Sequence, residues 1–202
     1  MLASIPPQDL NAEEAAQLAF MREEEKLARD VYAGLYELWG LPVFANISRS
    51  EQRHFEATGA LIDRYQLPDP AAENPAGVFA DSRLAALYAD FTAQGQASAV
   101  AALRVGATIE ELNIRDLETA IAATDNEDLK AVYGNLLRAS HNHLRAFAGQ
   151  LQNLGESYQA QYLDPAFLQG ILGAQRGGMM SGAGGRGRRG NGPGTGICPW
   201  RP

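Results

Sequence analysis

Two residues that can bind a metal ion, Glu51 and His54, lie three positions apart in a strongly helical segment. On an α-helix this spacing places both side chains on one face, about one turn apart, where one ion can contact both. Both fall on the apolar stripe of that helix, which also carries Phe44, Ile47 and Leu61. A carboxylate buried without a partner is costly, so the pattern predicts a pair of metal ligands.

Three other predicted helices carry a metal-capable residue on their apolar stripe. These residues are Glu25 in the first helix, Glu110 in the third and His143 in the fourth. A glutamate from each of two helices, with Glu-x-x-His from each of the other two, is the pattern of di-iron carboxylate bundles. Ser140 stands where the second Glu-x-x-His motif would have its glutamate. The predicted metal ligands are therefore Glu25, Glu51, His54, Glu110 and His143.

Neighbouring carboxylates compete for two of these roles. Glu24 is the alternative to Glu25, because it is also flanked by apolar residues. Glu25 itself lies in a charged run with Glu23 and Glu24, and such runs are usually solvated, so Glu25 taken alone would be expected at the surface. Its phase with Met21, Ala28 and Tyr32 favours a ligand. Glu111 is the alternative to Glu110, although the phase of the apolar stripe favours Glu110.

Glu51 and the histidines also have purely structural interpretations. Glu51 could cap the second helix together with Ser48, if that helix begins late. His143 taken alone would more often be a satisfied core histidine, whereas His54 opposite it favours a ligand. His141 and Asn142 point away from this face and are expected at the surface.

The composition is that of a soluble globular protein, with 46% hydrophobic and 20% charged residues in 202. No apolar run is long enough to span a membrane, and no signal peptide is visible, which favours a cytoplasmic location. A single cysteine, Cys198, excludes an intrachain disulfide framework and a Cys-x-x-Cys metal knuckle. The net charge of −7 is the sum of −12 up to residue 164 and +5 beyond it, where five arginines and no acidic residue follow. An acidic body argues against nucleic acid as the main partner.

Helix start and stop signals, together with the absence of an alternating strand pattern, predict an all-α fold. A capping box at 11–14 opens helix one, which runs to about Trp39, and Pro42 begins helix two. The other expected helices are a short one at 81–94 between helices two and three, helix three from about 98 to 121, helix four from a capping box at 124–127 to about 154, and a short one at 165–172. The chain is thus divided into a helical domain, 10–172, and a Gly/Arg-rich flexible tail, 173–202.

Three stretches of the chain resemble a known family. Residues 24–32 (Glu-Glu-Lys-Leu-Ala-Arg-Asp-Val-Tyr), 50–54 (Ser-Glu-Gln-Arg-His) and 142–147 (Asn-His-Leu-Arg-Ala-Phe) are similar to the helices of rubrerythrin and the ferritin-like superfamily. More specifically, they resemble the family called domain of unknown function 2202. The resemblance covers about residues 10 to 165 and implies a ferritin-like four-helix bundle around a carboxylate-bridged metal site.

The resemblance also implies a role for each ligand. Glu25 and Glu110 would each bind one ion, Glu51 would bridge two ions, and His54 and His143 would each cap one. Tyr32, two turns after Glu25 on the same face, is expected to hydrogen-bond a ligating carboxylate. Ser140 departs from the family pattern and removes a bridging carboxylate. Two ions would then bind more weakly, or a single ion would be held by Glu25, Glu51 and His54.

Two classes of function follow from this ligand set. The first is a redox metalloprotein that uses iron, or alternatively manganese, and reacts with dioxygen, peroxide or ferrous iron. Its expected partners are metal ions, small oxidants, an external electron donor and a second copy of the chain in a homodimer. The second is a non-catalytic metal-binding or interaction module with a degraded site. A metal-free bundle is a third interpretation, and it would need Arg53 or Arg145 to pair with the buried glutamates.

Overall fold

A computed structural model describes residues 8–174 of the chain. This part contains six α-helices and no strand, which confirms the all-helical prediction. The helices are α1 (Ala12–Trp39), α2 (Pro42–Arg64), α3 (Ser82–Gly95), α4 (Ala99–Ala123), α5 (Glu127–Asn153) and α6 (Pro165–Gly173). Residues 175–202, with most of the predicted tail and Cys198, lie outside the described residues. None of the described helices is both long and apolar enough to cross a membrane.

The start and stop signals of α1 act as predicted. The Asn11 side chain accepts hydrogen bonds from the amides of Glu13 and Glu14, and the Glu14 carboxylate accepts one from the Asn11 amide. Gly40 then adopts the left-handed conformation, with φ of 65°, and its amide bonds to the Tyr36 carbonyl. Glycine adopts this conformation without a Cβ clash, so the chain can turn directly into α2 at Pro42.

The start of α5 differs from the expected capping box at 124–127. Asn126 is the N-cap, and its side chain accepts from the amides of Asp128 and Leu129. Thr124 has another role, because its hydroxyl accepts from the Asn126 amide and donates to the Glu14 carboxylate. The threonine therefore joins the start of α5 to the start of α1.

The four long helices pack in pairs. The most extensive contacts join α1 to α2 and α4 to α5, and further contacts join α1 to α4 and α2 to α5. The short helix α3 packs against α1 and α4. Each long helix therefore contacts two other long helices and contributes one face to a shared interior.

The interior has two apolar clusters separated by polar residues. The first contains the rings of Tyr32, Phe44 and Phe147, which lie 5.2–6.2 Å apart between centroids. The second is formed by Leu18, Met21, Leu61, Ile62, Leu117, Ala120, Leu129, Val132, Tyr133 and Leu136. Along α1, α2 and α5, the predicted ligands lie between the residues that enter the first cluster and those that enter the second.

The charged run of α1 is buried rather than solvated, because each side chain has a partner outside the helix. Glu23 accepts hydrogen bonds from the amides of Ala80 and Asp81, at the start of α3. The fully buried Lys26 donates to Asp30 and to the Pro75 carbonyl. These bonds hold the connection between α2 and α3 against α1.

Candidate metal centre

All five predicted ligands converge in the interior between the four long helices. Each lies near the middle of its helix, so its backbone is held by regular helical hydrogen bonds on both sides. Their relative exposures are 1% for Glu25, 0% for Glu51, 9% for His54, 0% for Glu110 and 8% for His143. The carboxylates are thus withdrawn from solvent, and the two imidazoles lie nearest to it.

Three of the predicted ligands form a first group between α1 and α2. The His54 Nδ1 atom lies 2.7 Å from Glu51 Oε2 and 3.2 Å from Glu25 Oε2. One potential ligand atom from each of the three residues lies within 4.8 Å of the others. This group contains the Glu-x-x-His pair that the sequence placed on one face of α2.

A second group joins α2 to α4 and α5. The His143 Nδ1 atom lies 2.7 Å from Glu51 Oε1 and 3.5 Å from Glu110 Oε2. These three residues also present ligand atoms within 4.8 Å of one another. Glu51 therefore belongs to both groups, with one carboxylate oxygen facing each histidine.

The second group contains buried polar atoms whose hydrogen-bonding capacity is unused. Glu51 Oε1, Glu110 Oε2 and His143 Nδ1 are all buried and form no hydrogen bond. Although His143 Nδ1 is 2.7 Å from Glu51 Oε1, the two atoms are not aligned for an N–H···O bond. Buried polar atoms without partners are costly. Two oxygens and one imidazole nitrogen that converge in this way fit the coordination preferences of a divalent transition metal ion.

Burial and mutual contact shift the pKa of every group in the centre. Burial lowers the pKa of His54, but its hydrogen bonds to Glu25 and Glu51 outweigh this and raise it to about 11. Burial also lowers the pKa of His143, but the neighbouring Glu110 and Glu51 carboxylates outweigh this and raise that pKa to about 10. Burial raises the pKa of Glu25 to about 8, and also raises that of Glu110. For Glu51, burial is outweighed by His143 and His54, which hold its pKa below the usual range.

Tyr32 contacts the centre as the sequence predicted. Its hydroxyl donates a hydrogen bond to Glu110 Oε1 at 2.7 Å and lies 3.2 Å from the Gly106 carbonyl. Burial, together with the nearby Glu110 carboxylate, raises the pKa of Tyr32 well above its ordinary value. The tyrosine therefore stays protonated and orients one carboxylate of the second group.

The competing carboxylates have other partners. Glu24 is buried, and its pKa is raised by burial and then by the neighbouring Asp116 on α4. Glu111 Oε2 accepts hydrogen bonds from the amides of residues 161, 162 and 163. The centre thus contains Glu25 and Glu110, while Glu24 and Glu111 join α1 and α4 to other parts of the molecule.

Two alternative interpretations of the sequence are wrong. Glu51 does not cap α2, and neither Arg53 nor Arg145 pairs with the buried glutamates of the centre. Glu51 lies in the middle of α2, and Ser48 instead donates a hydrogen bond to the Arg29 carbonyl. Arg53 is exposed, and Arg145 bonds to the Ile171 carbonyl and to Asn142. The buried glutamates are paired with imidazoles rather than with guanidinium groups.

The expected surface position holds for Asn142 but only in part for His141. Asn142 is exposed, whereas His141 is half-buried and its ring makes an edge contact with Phe167 of α6. The sequence indicated that His141 points away from the stripe. It did not indicate that α6 folds back over that side of α5.

Asn113 is a buried polar residue that the sequence reasoning missed. It is 1% exposed, and neither its amide nitrogen nor its amide oxygen has a hydrogen-bond partner. It lies three residues after Glu110 on α4, the same spacing that joins Glu51 to His54. That spacing is the signal that could have drawn attention to it.

The chain belongs to the family described as an uncharacterized protein domain, DUF2202, whose model matches residues 14–175. Among its relatives is the uncharacterized protein MJ0754 of Methanocaldococcus jannaschii, which is 47% identical over 171 residues. That alignment covers 85% of this chain and 92% of the relative. The crystal structure of hypothetical protein MJ0754 superimposes with a TM-score of 0.82, covering 84% of this chain and 97% of that one.

Proposed function

We propose that this protein is a ferritin-like metalloprotein whose centre holds two divalent ions and supports redox chemistry. The position of Glu51 carries the proposal. Its two carboxylate oxygens lie 2.7 Å from the Nδ1 atoms of two different histidines, one in each three-residue group. A carboxylate shared in this way is what a pair of neighbouring ions requires of a bridging ligand.

The contributions of the helices support the ferritin-like assignment. Glu25 of α1 and Glu110 of α4 supply single carboxylates, and α2 supplies Glu51 and His54. His143 of α5 completes the set, with Ser140 in place of the expected glutamate. Four long helices that each direct side chains into a shared interior are the arrangement in which di-iron and di-manganese carboxylate proteins build their sites. We assign this bundle to residues 10–172.

Iron is the metal we propose, with manganese as the alternative. Imidazole and carboxylate ligands suit both Fe(II) and Mn(II), whereas the described residues contain none of the thiolates that favour zinc or iron–sulfur clusters. When bound, such ions would supply a redox couple and an open coordination position for dioxygen, peroxide or ferrous iron. The five residues would hold the ions, and Tyr32 would orient Glu110. Cys198 is the only cysteine of the chain, so electrons would come from a separate donor protein.

A second candidate is a non-catalytic helical module whose centre remains metal-free. The contacts between imidazoles and carboxylates favour it, because protonated His54 and His143 can balance two of the three carboxylates. Burial raises the pKa of Glu25 to about 8, so the third can be protonated and uncharged at pH 7. This candidate leaves the unaligned His143 Nδ1 and its neighbouring oxygens without hydrogen bonds. The two candidates therefore differ in metal content.

Elemental analysis of the full chain, expressed with iron and manganese supplied, separates these candidates. We expect two equivalents in the native protein, at most one in His54→Ala, and a loss of both in Glu51→Gln. His141→Ala is the matched control, since that histidine contacts Phe167 rather than the centre. One equivalent in the native protein would indicate a mononuclear site at Glu25, Glu51 and His54. No metal in the native protein, or full retention in Glu51→Gln, would contradict the proposal.

A further inference from the structure

Ser140 has a buried hydroxyl group that the protein leaves without a hydrogen bond. The residue is 0% exposed, and its Oγ atom has no partner. Other hydroxyls in these helices satisfy themselves by donating to the carbonyl four residues earlier, as Thr58, Thr108 and Thr119 do. A buried hydroxyl that forms no hydrogen bond costs about 1–3 kcal/mol, so a partner from outside the chain is expected.

The position of Ser140 places this hydroxyl beside the second group of ligands. Ser140 and His143 are three residues apart on the buried face of α5, and side chains at this spacing are neighbours. The His143 Nδ1 atom in turn lies 2.7 Å from Glu51 Oε1. Serine is much shorter than the glutamate that the Glu-x-x-His pattern would place here, so position 140 supplies no carboxylate to the centre. From this difference in side-chain length we infer a space of about one carboxylate group beside His143.

The charge of the centre also indicates which ligand would fill this space. Metal ligation requires neutral imidazoles, so two divalent ions would be balanced only by Glu25, Glu51 and Glu110. The loaded centre would then keep one excess positive charge in an interior where an unbalanced charge is costly. A monoanion would remove that excess charge and could accept a hydrogen bond from Ser140.

We propose that the space beside Ser140 binds one small monoanion with oxygen donors, such as formate or hydrogen carbonate, which completes the coordination of the ions. This inference rests on the two-ion centre proposed above. The Ser140 hydroxyl donates a hydrogen bond to the anion, and the anion replaces the carboxylate that this helix lacks. It reaches the centre past the imidazoles of His54 and His143, whose side chains are each 11% exposed.

The test uses the full chain loaded with Co(II), whose visible absorption reports its ligands. Elemental analysis first establishes two equivalents of cobalt, and formate is then titrated, with perchlorate as a weakly coordinating anion of equal charge. We expect a saturable spectral change with formate and none with perchlorate. Ser140→Ala should keep both ions and bind formate at least about 10-fold more weakly, because a hydrogen bond to a charged group is lost.

A second variant supplies the missing carboxylate. Ser140→Glu should keep both ions and lose its response to formate, since its own side chain occupies the space. Two equivalents of cobalt without a formate response in the native protein, or equal formate affinity in Ser140→Ala, would overturn this inference alone. A spectrum that changes only with pH would show that hydroxide from the solvent occupies the space and would also overturn it. Fewer than two equivalents in the native protein would overturn the two-ion centre as well.

Discussion

The Tyr32 hydroxyl lies 2.7 Å from Glu110 Oε1 and donates a hydrogen bond to it across the interface of α1 and α4. The other oxygen of that carboxylate, Glu110 Oε2, has no hydrogen-bond partner and lies 3.5 Å from His143 Nδ1. One oxygen is therefore held by the protein, and the other faces the second ligand group. This arrangement would orient the carboxylate for the metal binding that we propose.

Replacing Tyr32 by Phe should weaken both the fold and the metal site. The buried Glu110 carboxylate would lose its hydrogen bond from the hydroxyl, at a cost of about 1–3 kcal/mol in the free energy of unfolding. Metal affinity should fall by about 10–100-fold, as it does when a group that orients a ligand is removed. Urea unfolding measures the first effect, and competition with a chelator measures the second. Tyr36→Phe is the control, because Tyr36 is on the same helix and 43% exposed.

Gly106 is required by the close approach of the Phe147 ring. A Cβ atom at position 106 would lie 2.6 Å from Phe147 Cε1, and this ring packs against Tyr32 and Phe44. Gly106→Ala should therefore lower the free energy of unfolding by about 1–3 kcal/mol through overpacking. Gly149→Ala, where nothing lies within 4 Å of the added Cβ, should raise it by about 0.5–1 kcal/mol. Equal effects of the two substitutions in urea unfolding would contradict the packing argument.

The helices and the burial of the five predicted ligands could be predicted because their signals are local and periodic. Caps such as Asn11 and Gly40 act within one turn, and Glu51 and His54 interrupt an apolar stripe at helical spacing. The burial of Glu23 could not be predicted in this way. Its partners are the amides of Ala80 and Asp81, in a connection that has no periodic pattern to show where it packs.

Glu110 and Glu111 are neighbours on α4, and the sequence pattern offers both as candidates for the centre. The apolar phase of α4 favours Glu110 for the centre, but both residues are fully buried, so the phase alone does not exclude Glu111. The structure distinguishes them by their partners, which are Tyr32 and His143 for Glu110 and the amides of 161–163 for Glu111. Tyr32 lies 78 positions from Glu110 in the sequence, and the amides that contact Glu111 lie 50–52 positions from it, so a local pattern does not indicate these contacts.

The two neighbouring glutamates should respond differently to the same substitution. Glu110→Gln should reduce metal content, because a carboxylate of the second group is replaced by an amide. Glu111→Gln should leave metal content unchanged and speed hydrogen exchange at residues 161–163, whose three amides lose a charged acceptor. Elemental analysis and hydrogen exchange followed by mass spectrometry give both readouts. Metal loss in Glu111→Gln, with metal retained in Glu110→Gln, would contradict the placement of Glu110 rather than Glu111 in the centre.

Metal binding should release protons and strengthen as the pH rises. With folded-state pKa values of about 11 for His54 and about 10 for His143, both side chains are positively charged imidazolium groups at neutral pH in the metal-free protein. Ligation needs the neutral form, so we expect at least two protons to be released per pair of ions at about pH 7. Titration of metal into weakly buffered protein measures them, and His54→Ala should release fewer. Binding without proton release would contradict these protonation states.

The same shifts set the stability of the metal-free protein at alkaline pH. Because both histidine pKa values are raised above the unfolded value of about 6.5, their contribution to stability is complete below that pH. It is lost as the pH rises through about 10 to 11. Bound metal takes the place of these protons, so the loaded protein should not show this loss. Thermal unfolding of both forms should therefore give a difference in Tm that widens with pH, and a constant difference would count against the proposed centre.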